Sequence, residues 1–144
     1  MRLARLAALV TLSTAFLASG AIAQAATITV HVGTFKPVKG LMLCRLYSGP
    51  TGFPGGKGFL AEQWVAVTDT TATCTFANIN PGTYAVSLFH DANGNKRLDR
   101  NFIGLPTEGV GVSNNRFRTM APPRFDDDKF ALSGDTTIDI KLRY

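Results

Sequence analysis

The sequence predicts an all-β fold, a single antiparallel β-sandwich, on three observations. Short apolar runs alternate with a period of two. Gly, Pro and Asn clusters separate them at frequent intervals. No window after the first two dozen residues carries a long helical period.

The start of the chain stands apart. Arg2 and Arg5 form a basic head, residues 6–17 are apolar, and small residues follow. Both Ala21-Ile22-Ala23 and Ala23-Gln24-Ala25 fit the small-x-small rule of a cleavage site. The apolar run is shorter than the ~20 residues that span a bilayer. Residues 1–25 therefore read as a cleavable secretory signal helix, and residues 26–144 as one β-sandwich domain. A periplasmic or secreted location is expected, with no stable membrane insertion after cleavage.

Six strands are expected in the domain. Residues 27–32 alternate strictly, with Ile28, Val30 and Val32 facing in and His31 on the polar side. Residues 40–47 are apolar at nearly every position, which implies burial on both faces. Residues 63–68 form the third run. In the fourth, residues 72–76, Ala72, Cys74 and Phe76 point inward, and residues 84–89 are the fifth. The last run, residues 137–144, has the cleanest alternation, with a core face of Ile138, Ile140, Leu142 and Tyr144. Asn80-Pro81-Gly82 makes a strong turn, because Pro fixes φ and Gly accepts a positive one. Residues 49–58 are too rich in Gly and Pro for a regular element. Residues 126–132 allow one helical turn, with Phe125 and Phe130 tucked inward.

Cys44 and Cys74 are the two cysteines, and both fall in strand-like runs. An even count in an exported chain predicts a disulfide. The formal charge of +5 falls by two when Arg2 and Arg5 leave with the signal. The remaining basic residues are scattered with acids interspersed and form no basic stripe with interleaved aromatics, so no nucleic-acid partner is expected.

One segment breaks the alternation. Residues 91–124 form a long loop, and its specific aromatics and turn residues imply order. Its start, His90-Asp91-Ala92-Asn93-Gly94-Asn95-Lys96-Arg97-Leu98-Asp99, is the most specific stretch of the chain. Two readings of it compete. In the first, Asp91, Asn93, Asn95 and Asp99 are ligands of a weak calcium site, at positions 1, 3, 5 and 9 of an EF-hand-like loop. Lys96 then stands where that loop needs Gly, and Phe102 where it needs Glu. In the second, the same side chains cap backbone N–H groups in Asx turns.

The run from Pro81-Gly82-Thr83-Tyr84-Ala85 through His90-Asp91-x-Asn93-Gly94-Asn95, Leu98-Asp99, Asn101-Phe102, Gly104-x-Pro106-x-Glu108-Gly109 and Ser113-Asn114-Asn115 resembles bacterial domain-of-unknown-function family 2141. Pro122-Pro123-x-Phe125-Asp126-Asp127 and Phe130 fit its later part. Members often carry Gly where this chain has Lys96. The step from Asn78 to Tyr84 also looks like that of transthyretin-like and carboxypeptidase-regulatory-like sandwiches. The resemblance implies an exported bacterial β-sandwich, immunoglobulin-like or transthyretin-like, of a kind that binds or supports.

The expected function is therefore a non-enzymatic binding or interaction module of the bacterial periplasm or cell exterior. Its partner is an unidentified protein or small-molecule ligand, and calcium is the one cofactor the sequence suggests. The recognition surface would be the 91–124 segment, with His90, Glu108, Ser113 and Asn114 as candidate binding residues. No catalytic residue is assigned. The competing class is a small periplasmic hydrolase using His90 with Asp91, Asp99 or Glu108. Adjacent strand residues point to opposite faces, so His90 and Asp91 are poorly placed for it. No serine sits in a Gly-x-Ser-x-Gly elbow.

Overall fold

The computed structural model describes residues 24–144. The expected signal, apart from Gln24 and Ala25, lies outside the described residues. Two sheets pack face to face. The first is three-stranded, in the order β4 (Thr71–Ile79), β1 (Ala26–Gly33), β8 (Thr136–Lys141). The second runs β3 (Ala61–Ala66), β2 (Leu41–Tyr47), β5 (Gly82–Asp91), β6 (Val110–Val112), and β7 (Phe130–Leu132) pairs with the start of β5. All six expected strands are present, within a few residues of their expected ends. β6 and β7, of three residues each, are too short to leave a period in the sequence.

The sandwich is antiparallel with one exception. β8 runs parallel to β1, from Ile28 opposite Thr136 to Gly33 opposite Lys141. Parallel neighbours need a long connection, and here nearly the whole domain supplies it. The expected core face of the last run also ends early. Ile140 is buried and Ile138 and Leu142 pack against the core, but Tyr144 lies beyond β8 with its ring half-exposed.

The main core lies between the sheets. Ile28, Val30 and Val32 of β1 meet Met42, Cys44 and Leu46 of β2 and Val86 and Leu88 of β5. The Cys44–Cys74 disulfide crosses this core, with the two Cα atoms 6.7 Å apart, and ties β2 of one sheet to β4 of the other. A second cluster covers part of the outer face of the second sheet. Tyr47, Ala85 and Phe125 form it, with Phe53 and Phe59 packed against them. That cover is why β2 is buried on both faces, as its continuous apolar run implied. Phe125 reaches the cluster from a single helical turn, α1 (Phe125–Asp128).

Candidate functional site

Beyond the Tyr47 cluster, the outer face of the second sheet carries a cross-strand row. Strand register sets Trp64 opposite Leu43, Leu43 opposite Phe89 and Phe89 opposite Val110. The next row is Glu62, Arg45, Ser87 and Val112. Period-two pleating puts both rows on one face. Trp64 meets Phe89 edge-to-face at 5.9 Å.

This face is the floor of a groove of about 1020 Å³. One wall is the Gly-rich loop at residues 52–56. It is pinned by Tyr47, whose hydroxyl donates to the Gly56 carbonyl at 2.9 Å, and by Arg45, which donates to the Gly55 carbonyl at 2.9 Å. The opposite wall is built from residues 96–106 and 117–123. It is therefore the long segment singled out in the sequence that folds over the sheet.

Two small hairpins order that wall. In one, Arg100 bridges to Pro106, and the Asn101 side-chain oxygen accepts the N–H groups of Ile103 and Leu105 at 3.1 and 3.0 Å. Arg100 also donates to the Gly104 carbonyl at 2.8 Å. In the other, Arg118 bridges to Ala121. The groove is cationic. Lys96, Arg97, Arg100, Arg118 and Arg143 all line it, and among the described residues none has a carboxylate within ion-pair distance. Arg143 lies over the Phe117 ring at 5.5 Å. Arg45 is already committed to Glu62 at 3.1 Å.

The acids of the segment are engaged by donors within the loop itself. Asp91 is fully buried. Its Oδ1 accepts the N–H groups of Gly94 and Asn95 at 2.8 and 3.1 Å, and its Oδ2 accepts that of Lys96 at 2.7 Å. Glu108 accepts from Ala92 through Oε1 and from Asp99 through Oε2. Asn93 and Asn95 donate their side-chain amides to the Asp99 carboxylate, while their oxygens accept the N–H groups of Asn95 and Arg97. The four expected metal ligands are thus gathered in one loop, with their oxygens turned to N–H donors in the Asx-turn manner. Among the described residues no three His, Cys, Asp or Glu side chains converge as a metal site. Lys96 has a φ of +60°, in the left-handed region that favours Gly. The backbone therefore keeps the conformation that the family resemblance led one to expect of Gly here.

His90 points the other way, into the core. It is fully buried and meets Phe35 edge-on at 5.0 Å. Nε2 lies 2.7 Å from the Lys39 carbonyl and Nδ1 lies 3.0 Å from the Tyr144 hydroxyl. Because a carbonyl only accepts, the partners assign the ring proton to Nε2. Ser113 and Asn114 are staples. The Ser113 hydroxyl accepts from the Val86 N–H at 3.0 Å and donates to the Asp128 carbonyl. The Asn114 amide donates to the carbonyls of Asp127 and Lys129, both at 3.1 Å.

Of the candidate binding residues, then, Glu108 lines the groove with its carboxylate engaged, and His90, Ser113 and Asn114 hold the scaffold. The groove's exposed, uncommitted groups are others, chiefly Arg97, Ile103, Arg118 and Met120. One compositional sign of them is visible in residues 91–124, where Lys96, Arg97, Arg100, Arg116, Arg118 and Arg124 outnumber Asp91, Asp99 and Glu108. These acids alternate with Asn and Gly, the residues of a capped turn.

Fold and site together define a disulfide-bridged β-sandwich with a cation-rimmed apolar groove on one outer face. The chain belongs to the family DUF2141, described as an uncharacterized protein conserved in bacteria, whose model matches residues 30–140. The matched span includes both the groove floor and the long segment above it. No curated protein and no solved structure matches the chain.

Proposed function

We propose that this protein is an exported, non-enzymatic binding module, and that the groove over the second sheet receives a ligand both anionic and partly apolar. The observation that carries this reading is the pairing of an apolar floor, Leu43, Phe89 and Val110, with a rim of cations that lack acidic partners among the described residues. The volume suits one small organic ligand or one chain of a larger one. An exported chain fits a disulfide across its core, and a periplasmic location is part of the proposal.

The hydrolase alternative has less support. It needs His90 and a carboxylate to converge on one open pocket. Both ring nitrogens of His90 are engaged inside the core, and Asp91 and Glu108 are engaged by loop N–H groups.

Trp64 is the only tryptophan, and it touches the groove floor through Phe89. Its emission therefore reports on groove occupancy. Anilinonaphthalene sulfonate, an anionic aromatic dye, is expected to bind and to quench it by energy transfer. Arg118→Glu and Met120→Asp, both exposed, are each expected to weaken the dye several-fold with melting temperature unchanged. Dye binding that is absent, or equal in all three proteins, overturns the groove as a binding site.

A further inference from the structure

Apolar side chains are held out into solvent on the two hairpins of the groove wall. Phe102 is 99% exposed, Met120 75% and Ile103 58%, and Leu105 is exposed beside them. These are four of the seven large hydrophobic residues exposed in the described chain. They stand on ordered turns. Asn101 ties both Ile103 and Leu105 through its side chain, and the Gly104 N–H returns to the Asn101 carbonyl at 2.9 Å. A clustered apolar surface on a fixed turn marks a contact site.

The charges around the tips indicate the partner. Lys96, Arg97, Arg100 and Arg118 line the same groove as Ile103, Leu105 and Met120. Of the nearby acids, Asp91 and Glu108 are buried and face backbone N–H groups, and the half-buried Asp99 accepts the side-chain amides of Asn93 and Asn95. Two copies meeting by this patch would bring like charges together, which argues against a symmetric dimer here. Exposed aromatic and aliphatic tips on a wall that also carries Lys and Arg have the composition of interfacial membrane binding.

We infer that the Phe102–Ile103 and Met120 hairpins form a peripheral docking surface for anionic lipid bilayers. The tips enter the headgroup boundary while Lys96, Arg97, Arg100 and Arg118 meet lipid phosphates. This deepens the groove proposal and rests on it: the anionic, partly apolar ligand is lipid. The docking itself needs no segment that crosses the bilayer. Among the described residues no helix is long and apolar enough to cross one.

The test is co-sedimentation of the full exported chain with two kinds of vesicle. One is phosphatidylcholine alone, the other phosphatidylcholine with phosphatidylglycerol. Binding is expected only to the second, and high salt should release it. The pair Phe102→Ser with Ile103→Ser should weaken it on the order of tenfold. Arg97→Glu with Arg118→Glu should abolish it. All four side chains are exposed, so melting temperatures should hold, and the salt release needs no variant. Vesicle binding untouched by both pairs overturns the proposal. So does capture of poly-glutamate as strong as that of the vesicles and indifferent to Phe102→Ser, which would mean a site for acidic polymers. Failure to bind vesicles while the anilinonaphthalene dye still enters the groove overturns membrane docking alone. Failure of both overturns the groove reading as well.

Discussion

The Tyr144 hydroxyl lies 3.0 Å from Nδ1 of His90 and 2.8 Å from the backbone nitrogen of Lys36. It accepts from Lys36 and donates to His90, whose Nε2 proton goes to the Lys39 carbonyl. A chain of hydrogen bonds thus joins the loop after β1, the end of β5 and the segment beyond β8. Gly109 makes room for it, since a Cβ there would come within 2.7 Å of the Tyr144 ring. The backbone pair between Val110 and Arg143, 2.8 Å in each direction, holds the two segments together.

Tyr144→Phe should therefore destabilise the protein although half the ring is exposed. The buried Nδ1 of His90 loses its donor, at a cost of about 1–3 kcal/mol. Thermal unfolding should register a fall of several degrees. An unchanged melting temperature would mean that water replaces the hydroxyl. Gly109→Ala should produce a comparable loss by displacing the ring.

Burial raises the pKa of Tyr144, opposed by the Lys36 N–H, and burial raises that of Tyr47, opposed by Arg45. A folded pKa above the unfolded value favours the protonated folded form. The stability this contributes is complete below the ordinary tyrosine pKa near ~10 and is lost as pH climbs through the raised value. Near-ultraviolet absorbance should show two tyrosines ionising later in the native protein than in the denatured one, with stability falling in the same window. Coincident titrations in the two states would contradict this.

Asp91 should be essential to the 91–99 loop through its backbone contacts. Asp91→Ala leaves the N–H groups of Gly94, Asn95 and Lys96 without their acceptor. A loss of about 3 kcal/mol is expected. Melting should be the same in chelator and in ~10 mM calcium, above the dissociation constants of weak extracellular sites. A calcium-dependent rise that Asp91→Ala removes would make the loop a cation site instead.

The disulfide should matter as a link between sheets. Alkylation without reductant, read by mass spectrometry, should find both Cys44 and Cys74 protected. Replacing both with Ala should cost roughly 3–4 kcal/mol on the chain-entropy model for a loop of this length. Two free thiols in protein purified without reductant would contradict the bridge.

How much of this was legible depends on how local the determinant is. β1 and β5 could be read because alternation is a property of neighbours: Ile28, Val30 and Val32 face the core, and His31 faces out beside Asp139 at 3.7 Å. The bridge could be read because the even cysteine count, with the export expected from residues 1–25, constrains it. The parallel seat of β8 on β1 could not, since its alternation is the same beside either partner. The role of Asp91 was one of two readings that spacing alone cannot separate, because calcium loops and Asx turns use the same residue types. The groove was least legible. Arg97, Arg100 and Arg118 are scattered in sequence, and they gather only because the 91–124 segment folds back over Phe89. Ser113 and Asn114 were drawn into the expected site because their residue types also suit binding. Asn114 and Asn115 suit a turn, but the contacts with Val86 and α1 that the turn sets are not local in sequence.

Asp128 gives the sharpest test of local electrostatics. It is fully buried at the end of α1. Its Oδ1 accepts the Arg116 N–H at 3.2 Å, while its Oδ2 has no partner among the described residues. Burial raises its pKa, with the Arg116 and Asn114 backbone opposing. The folded state therefore holds the proton more tightly than the unfolded one. The stability linked to that proton is complete below the ordinary aspartate pKa near ~3.9 and is lost as pH rises through the raised value. At neutral pH the ionised group counts against the fold. Asp128→Asn keeps an oxygen for Arg116 and removes the charge, so it should be more stable than the parent protein at pH ~7. The difference should shrink as pH falls and level off below ~3.9, where the parent carboxyl is protonated in both states. Denaturant melts of the two proteins across that range decide it. A constant difference would mean that the unpaired oxygen is hydrated, and that Asp128 carries its charge without penalty.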